Sequence, residues 1–112
     1  MKNLDRTLAA LADPTRRGIV ELLSKRPRRA GELAEAFDMS PPAISRHLRV
    51  LRTRKLVDED RAPHDARQRV FRLRREPFAD LSTWLSGIEA FWTEQLDSFK
   101  EHVASKQKGK KA

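Results

Sequence analysis

The segment SPPAISRHLRVLR, residues 40–52, constrains the fold more than any other part of the chain. Ser40 can cap a helix, and prolines at the first two helical positions already have a suitable φ angle. At 100° per residue, Ile44, Leu48 and Leu51 fall within one narrow sector, which predicts a helix with a single apolar face. The chain must therefore fold so that this face is buried against other elements.

The opposite face of this predicted helix carries hydroxyl and guanidinium groups and no carboxylate. Its members are Ser45, Arg49 and Thr53, flanked by Pro42, Arg46 and Arg52. A face that only keeps a protein soluble normally mixes both signs of charge. We interpret it as a surface for an anionic partner, and a simple solvated arginine face is the alternative.

A short helix at about residues 30–37 is predicted before this segment, with the three-residue turn DMS between them. These are the proportions of a helix-turn-helix, whose second helix enters the major groove of double-stranded DNA. Arginine near the N-terminal half of such a helix can bond guanine O6 and N7 together, so we assign base contacts to Ser45 and Arg46. Arg49 and Arg52 lie further along and are assigned to phosphates.

The two prolines also affect how this helix would bind phosphate. They remove two N–H donors from a helix N-terminus that could otherwise bind an anion. Phosphate anchoring should therefore depend on side chains, namely Ser40 and Ser45 together with the arginines. Pro42 can instead contact a thymine methyl group.

After Leu56 the sequence pattern changes from helical to alternating. The stretches LVDEDR and RQRVFRL predict two strands around the turn-rich tip APHDA, a β-hairpin. A basic hairpin directly after a recognition helix is a wing, and His64, Arg67 and Arg69, at or beside its tip, are its candidate DNA contacts. In the alternative interpretation, Arg67 and Arg69 pair across the hairpin with the carboxylates of residues 58–60.

The composition agrees with a nucleic-acid partner. The 112 residues carry 24 Lys+Arg against 16 Asp+Glu, a formal net charge of +8. Such a charge suits nucleic acid or an anionic membrane surface, although a merely soluble basic protein has it too. The chain has no cysteine, which excludes disulfides and thiolate metal sites, and no run approaches the ~20 apolar residues of a membrane span. We expect a cytoplasmic protein with no membrane partner.

Apolar residues of the last predicted helix, from Pro77 to about Val103, cover more than one face. They form two adjacent lines, more apolar surface than a domain of this size can bury. We predict that one line packs in the core and that the other, with the first helix, forms a two-fold dimer interface; a pocket for an apolar ligand is the alternative. The predicted interface residues are Leu4, Leu8, Leu81, Trp84, Leu85, Ile88, Phe91, Trp92 and Phe99.

Residues 1–103 are expected to form one DNA-binding and dimerisation domain, and residues 104–112 a disordered basic tail.

The sequence resembles the arsenical-resistance-repressor (ArsR/SmtB) family of winged helix-turn-helix regulators over about residues 4–103. The resemblance is carried by LADPTRRGIVELL, by GELAEAFDMSPPAISRHLRVLR, by KLV before the hairpin and by VFRL at its end. It implies a mainly α fold with a small β-hairpin, in the order ααααββα, and a homodimer joined through the first and last helices. It also implies a transcriptional repressor that binds an operator in double-stranded DNA.

The metal ligands of this family are missing from the matching positions. Arg29 and Gly31 stand where the family has a Cys-x-Cys type site, and neither binds a metal. A second family site needs Asp-x-His and a downstream His-x-x-Glu/His pattern, where this chain has Asp80-Leu81-Ser82 and then Thr93 and Leu96. The last helix, with two spaced tryptophans, is similar to a metal-independent branch of the family, and no cofactor is expected. An unidentified small-molecule or protein effector is left open.

These features predict a sequence-specific repressor that acts as a homodimer on a palindromic operator. The resemblance to the metal-independent branch adds autorepression as one form of this function. The alternative is a sequence-neutral, nucleoid-like DNA-binding protein, whose affinity falls with salt but hardly differs between duplexes. No enzyme is predicted, since no Ser/His/Asp arrangement, Gly-rich phosphate loop or metal-ligand set can be assembled from these residues.

Overall fold

The computed structural model describes residues 2–110, and side chains as far as Lys106. In chain order its elements are α1 (Lys2–Ala10), α2 (Pro14–Lys25), β1 (Arg28–Arg29), α3 (Ala30–Ala36), α4 (Pro41–Thr53), β2 (Val57–Ala62), β3 (Asp65–Leu73) and α5 (Glu76–Lys110). The chain divides into two compact units, residues 1–79 and residues 80–112. The mainly helical fold and the hairpin are confirmed.

The sheet has one strand more than the predicted order ααααββα. β3 is its central strand and pairs antiparallel with β1 on one side and with β2 on the other. In β1, Arg28 is paired with Phe71 and Arg29 with Val70. Two residues are too short to show any alternation, so only their pairing with β3 makes this stretch a strand.

Both long helices of the first unit begin where the sequence predicts. α2 begins at Pro14 after the capping residue Asp13, and α4 begins at Pro41 after the capping residue Ser40. The Oγ atom of Ser40 accepts a hydrogen bond from the Ala43 N–H group at 3.3 Å. The cap satisfies one of the free N–H groups of the first turn, and Pro41 needs none.

The core of the first unit lies beneath α4. Ile44 and Leu48 are 1% exposed and Leu51 is fully buried, as the apolar sector of this helix predicts. Burial of each such side chain stabilises the fold by about 1.5–3 kcal/mol. The other buried members of this cluster are Ala10, Ile19, Leu23, Leu33, Ala34, Leu56, Val57 and Phe71. Since this face is turned inward, the arginine face of α4 is turned to solvent.

α5 begins in the first unit, where Phe78 packs against the core, and continues as the second unit. It extends to Lys110 rather than ending at about Val103. The disordered tail predicted for residues 104–112 stays a prediction, and its last two residues lie outside the described part of the chain.

The large apolar side chains of α5 are exposed in the single chain. Their exposed fractions range from 37% at Ile88 to 65% at Phe99, and members of both predicted lines, such as Phe91 and Trp92, are among them. The expectation that one line packs in the core is therefore wrong for these residues. In α1, Leu8 is 40% exposed whereas Leu4 is buried. Among the described residues, no helix is apolar over enough of its length to cross a membrane.

Candidate nucleic-acid interface

α3, a tight turn and α4 form a helix-turn-helix. The turn places Asp38 at a φ of 49°, in the left-handed region that aspartate adopts more readily than most residues. The Met39 N–H group donates to the Ala34 carbonyl at 3.0 Å and so closes the end of α3. The predicted turn, DMS, is confirmed, and it sets α4 as the second helix of the motif.

Arg46 and Arg49 project from α4 into solvent. Both are exposed, and neither has a hydrogen-bond or ion-pair partner among the side chains that the structure describes. A guanidinium without an internal partner gives up no contact within the protein when it binds a base or a phosphate. Ser40 and Pro42, predicted to lie at the same surface, are exposed as well, although the Ser40 hydroxyl already caps the helix.

His47 faces α2 instead of the exposed side of α4. Its Nδ1 atom lies 3.8 Å from Oδ2 of Asp13 and 3.4 Å from Nη1 of Arg16. Asp13 caps α2 and Arg16 lies in its first turn, so His47 connects α4 to the start of α2. The hydrogen bond from the Arg16 N–H group holds the pKa of Asp13 below its usual value, with smaller contributions from the nearby positive charges, while desolvation opposes the shift.

A network of polar side chains joins α4 to the wing. Nη2 of Arg69 donates to Oγ of Ser45 at 3.0 Å, and Nη1 of Arg69 lies 3.7 Å from Oε1 of Glu59. The other oxygen of this carboxylate accepts a hydrogen bond from Nη1 of Arg52. The Glu59 side chain is only 14% exposed, and the Arg69 guanidinium lies 5.6 Å from the centre of the Phe71 ring.

Two of the arginines assigned to DNA therefore have an internal partner. Arg69 is not beside the wing tip: its register partner is Arg61 on β2, and its side chain reaches back to α4. The alternative interpretation, in which Arg69 pairs with the acidic strand, describes its observed geometry. The sequence offered Glu59 as one of three possible partners for Arg69, and its position two residues after the buried Val57 places it on the inward face of β2.

The wing tip holds the other two predicted wing contacts. Pro63 and His64 connect β2 and β3, and the strand register shifts between Arg61 and Ala62 just before them. His64 and Arg67 are exposed, and the backbone N–H group of Arg67 donates to the side chain of Asp65 at 3.0 Å. Both side chains are thus accessible to a bound duplex.

The remaining acids of β2 pair with arginines at the end of β3 and just after it. Asp60 pairs with Arg72, and Oδ1 of Asp58 lies 4.0 Å from Nε of Arg74. Because side chains alternate along a strand, these two acids point away from the face that Glu59 shares with α4. The negative charges of Asp58 and Asp60 are therefore compensated by neighbouring arginines.

Two arginines at the start of α2 bind the end of α1, a feature that the sequence reading missed. Nε of Arg16 donates to the Ala10 carbonyl and Nη1 of Arg17 donates to the Leu11 carbonyl, both at 2.7 Å. Carbonyls at a helix C-terminus lack partners within the helix, and a cation is favourable there. The arginine pair that follows the Asp-Pro break after one threonine was the available signal.

The positions of the family's thiolate site hold a different arrangement. Arg29 ends β1 and Gly31 lies in α3. Glu32 accepts hydrogen bonds from Nη2 of Arg26 at 2.9 Å and from the Arg29 N–H group at 3.3 Å, and the Arg26 bond is the main reason that its pKa is lowered. Within the part of the chain that the structure describes, no three His, Asp or Glu side chains are grouped closely enough to hold a metal ion.

Comparison with known proteins agrees with this geometry. The family described as "Bacterial regulatory protein, arsR family" matches residues 13–59, from the cap of α2 into β2. The chain is 41% identical over 101 residues to the HTH-type transcriptional regulator Rv2034 of Mycobacterium tuberculosis, which covers 90% of this chain and 89% of that protein. It is 38% identical over 58 residues to the transcriptional repressor SdpR of Bacillus subtilis, over 52% of this chain and 64% of that protein.

Solved structures show the same fold. The crystal structure of an ArsR family transcriptional regulator matches with a TM-score of 0.71 at 32% identity, over 81% of this chain and 97% of that chain. This chain belongs to the ArsR family of DNA-binding transcriptional regulators.

Proposed function

We propose that this protein represses transcription by binding a two-fold symmetric operator as a homodimer. The observation that carries the proposal is the exposed face of α4, where Arg46 and Arg49 have no partner among the described side chains. A second helix of a helix-turn-helix reads base edges with its N-terminal residues. Arg46 suits a bidentate contact with guanine, and Arg49 suits a phosphate.

The choice of a repressor rests on the likeness to SdpR, which is named as one. A repressor needs only to occupy its operator, and a chain of 112 residues that binds DNA can do so without catalysis. Because transcription takes place where the chromosome lies, the protein would act in the bacterial cytoplasm.

The exposed apolar residues of α5 support the homodimer. Leu85, Ile88, Trp92, Leu96 and Phe99 follow helical spacing and are all more than one-third exposed. A contiguous apolar strip of this kind is typical of an association surface. Two-fold pairing of such strips would also give each dimer two copies of α4.

Selection from a random DNA library, followed by sedimentation of the complex, tests the proposal. We expect enrichment of a palindrome whose half-sites are separated by one helical turn, about 10 bp, or a multiple of it. The complex should contain two chains. Retention of the library without enrichment would instead indicate a sequence-neutral binder, and a single chain on one half-site would contradict the dimer.

A further inference from the structure

Glu59 is an acid on the face of the wing that points toward α4. Its carboxylate pairs with Arg52 on α4 through one oxygen and lies 3.7 Å from Arg69 on β3 through the other. The side chain is 14% exposed, so both pairs are partly shielded from solvent. Asp58 and Asp60, its neighbours on either side, point to the opposite face of the hairpin.

The pairing divides the arginines near the proposed interface into two kinds. Arg46 and Arg49 have no partner among the described side chains, whereas Arg52 and Arg69 share one carboxylate. Non-specific binding grows with the number of phosphates that cations neutralise. The carboxylate shared by Arg52 and Arg69 offsets one of their two positive charges, so together they contribute less to the binding of an arbitrary duplex.

Arg69 also connects this carboxylate to a residue assigned to a base. Its Nη2 atom donates to Oγ of Ser45, so the serine hydroxyl acts as an acceptor on that side. The hydroxyl keeps its own proton, which it can donate to a purine N7 or guanine O6. Glu59 therefore influences both how strongly any DNA is held and how Ser45 is oriented.

We propose that Glu59 is a positioning residue that sets the specificity of DNA binding, because it restrains Arg52 and Arg69 from indiscriminate phosphate contacts and holds Arg69 against Ser45. This inference rests on the proposed function, since it assumes that the α4 face binds a preferred duplex. It assigns a role in DNA recognition to an acid that does not itself contact DNA.

The substitution Glu59→Gln tests this role because it removes the charge and keeps the side-chain size. Fluorescence anisotropy would measure binding to a duplex selected from random DNA by the wild-type protein and to a scrambled duplex of equal composition, over a series of salt concentrations. Each additional phosphate contact steepens the dependence of log K on log[salt] by about 0.9. We expect about tenfold tighter binding of the scrambled duplex, a slope steeper by about 1 to 2, and a smaller ratio between the two affinities.

Asp60→Asn is the matched control, since it removes one negative charge from the next residue, whose partner is Arg72 on the other face. It should leave the affinity ratio unchanged. Glu59→Asp keeps the charge and should show a slope near that of the wild-type protein. Glu59→Ala, which also removes the charge, is the second variant if Glu59→Gln does not fold.

Equal slopes and equal ratios for Glu59→Gln and Asp60→Asn would overturn the inference. A wild-type protein that does not distinguish the two duplexes would contradict the proposed function instead. In that case the slope measured with the scrambled duplex still decides whether Glu59 restrains the two arginines.

Discussion

Gly18, in the middle of α2, faces the ring of Phe37 at the end of α3. A Cβ atom on Gly18 would lie 2.7 Å from Cε1 and 3.0 Å from Cζ of that ring. Carbon atoms in favourable contact are about 3.5–4.0 Å apart, so no larger residue fits without a shift. The close approach of α2 and α3 thus depends on the absence of a side chain at this position.

Gly18→Ala should destabilise the protein although alanine is the better helix former. Overpacking costs about 1–3 kcal/mol, and the gain in helix propensity offsets about 1 kcal/mol. We expect a net loss of about 1 kcal/mol in the free energy of unfolding, measured by urea denaturation. Gly31→Ala, in α3, is the control. A Cβ atom at this position has no other atom within 4 Å, so the substitution should not destabilise the protein.

Combining Gly18→Ala with Phe37→Leu identifies the ring as the cause. Once the ring is removed, the added methyl group should be neutral or stabilising. If the effects of the two substitutions on the free energy of unfolding are instead additive, the loss has another origin.

Arg46→Ala and Arg49→Ala should weaken DNA binding in different ways. Arg46→Ala should cost on the order of 1–3 kcal/mol and relax the preference at one base position, as expected for a base contact. Arg49→Ala should weaken all duplexes alike and reduce the salt slope by about 1. Lys25→Ala, an exposed cation at the end of α2, controls for net charge. Intact affinity and preference in Arg46→Ala would show that another residue reads the base.

Trp92→Glu should dissociate the proposed dimer. Trp92 is 61% exposed in the single chain, and a two-fold interface would bring two buried carboxylates into an apolar surface. We expect a monomer in sedimentation equilibrium and loss of tight operator binding, with helix content retained. Ser86→Glu, on the opposite side of α5 from Ile88, is the control and should remain dimeric.

Tryptophan fluorescence offers a second measurement of the same interface. Both tryptophans of the chain, Trp84 and Trp92, lie in α5. Their emission in the wild-type protein should shift to the red on dilution as the dimer separates. A dimer that persists in Trp92→Glu would refute the assignment of this surface.

Asp13 should make the protein less stable in acid. Because its pKa is lower in the folded chain than in the unfolded chain, the unfolded chain binds more protons at low pH. The stabilisation is complete above about pH 4, the usual aspartate range, and is lost as the pH falls through the lowered value. Asp13→Ser keeps a capping oxygen without a titrating group, so the urea midpoint should depend less on pH in acid.

Asp97→Ser removes an exposed carboxylate from α5 and controls for the loss of one acid. An equally steep acid dependence in Asp13→Ser and in the wild-type protein would show that other carboxylates are responsible.

Local patterns in the sequence were sufficient to predict the helix-turn-helix. The cap at Ser40, the two prolines and the spacing of Ile44, Leu48 and Leu51 all act within a few residues, so their effects can be read along the chain. The same holds for the hairpin, whose alternation and turn residues are local. The spacing of the apolar residues in α4 also determines that Arg46 and Arg49 face outward, because burial of one side of a helix exposes the other.

Only the tertiary structure decided which arginines are held by other residues. Along the chain, a turn separates Glu59 from Arg52, and the tip of the hairpin separates Glu59 from Arg69. No local pattern therefore specifies that the three side chains meet. β1 is a strand only because β3 lies beside it. Local periodicity selects helices, turns and faces, whereas ion pairs and short strands depend on distances that the packed fold alone sets.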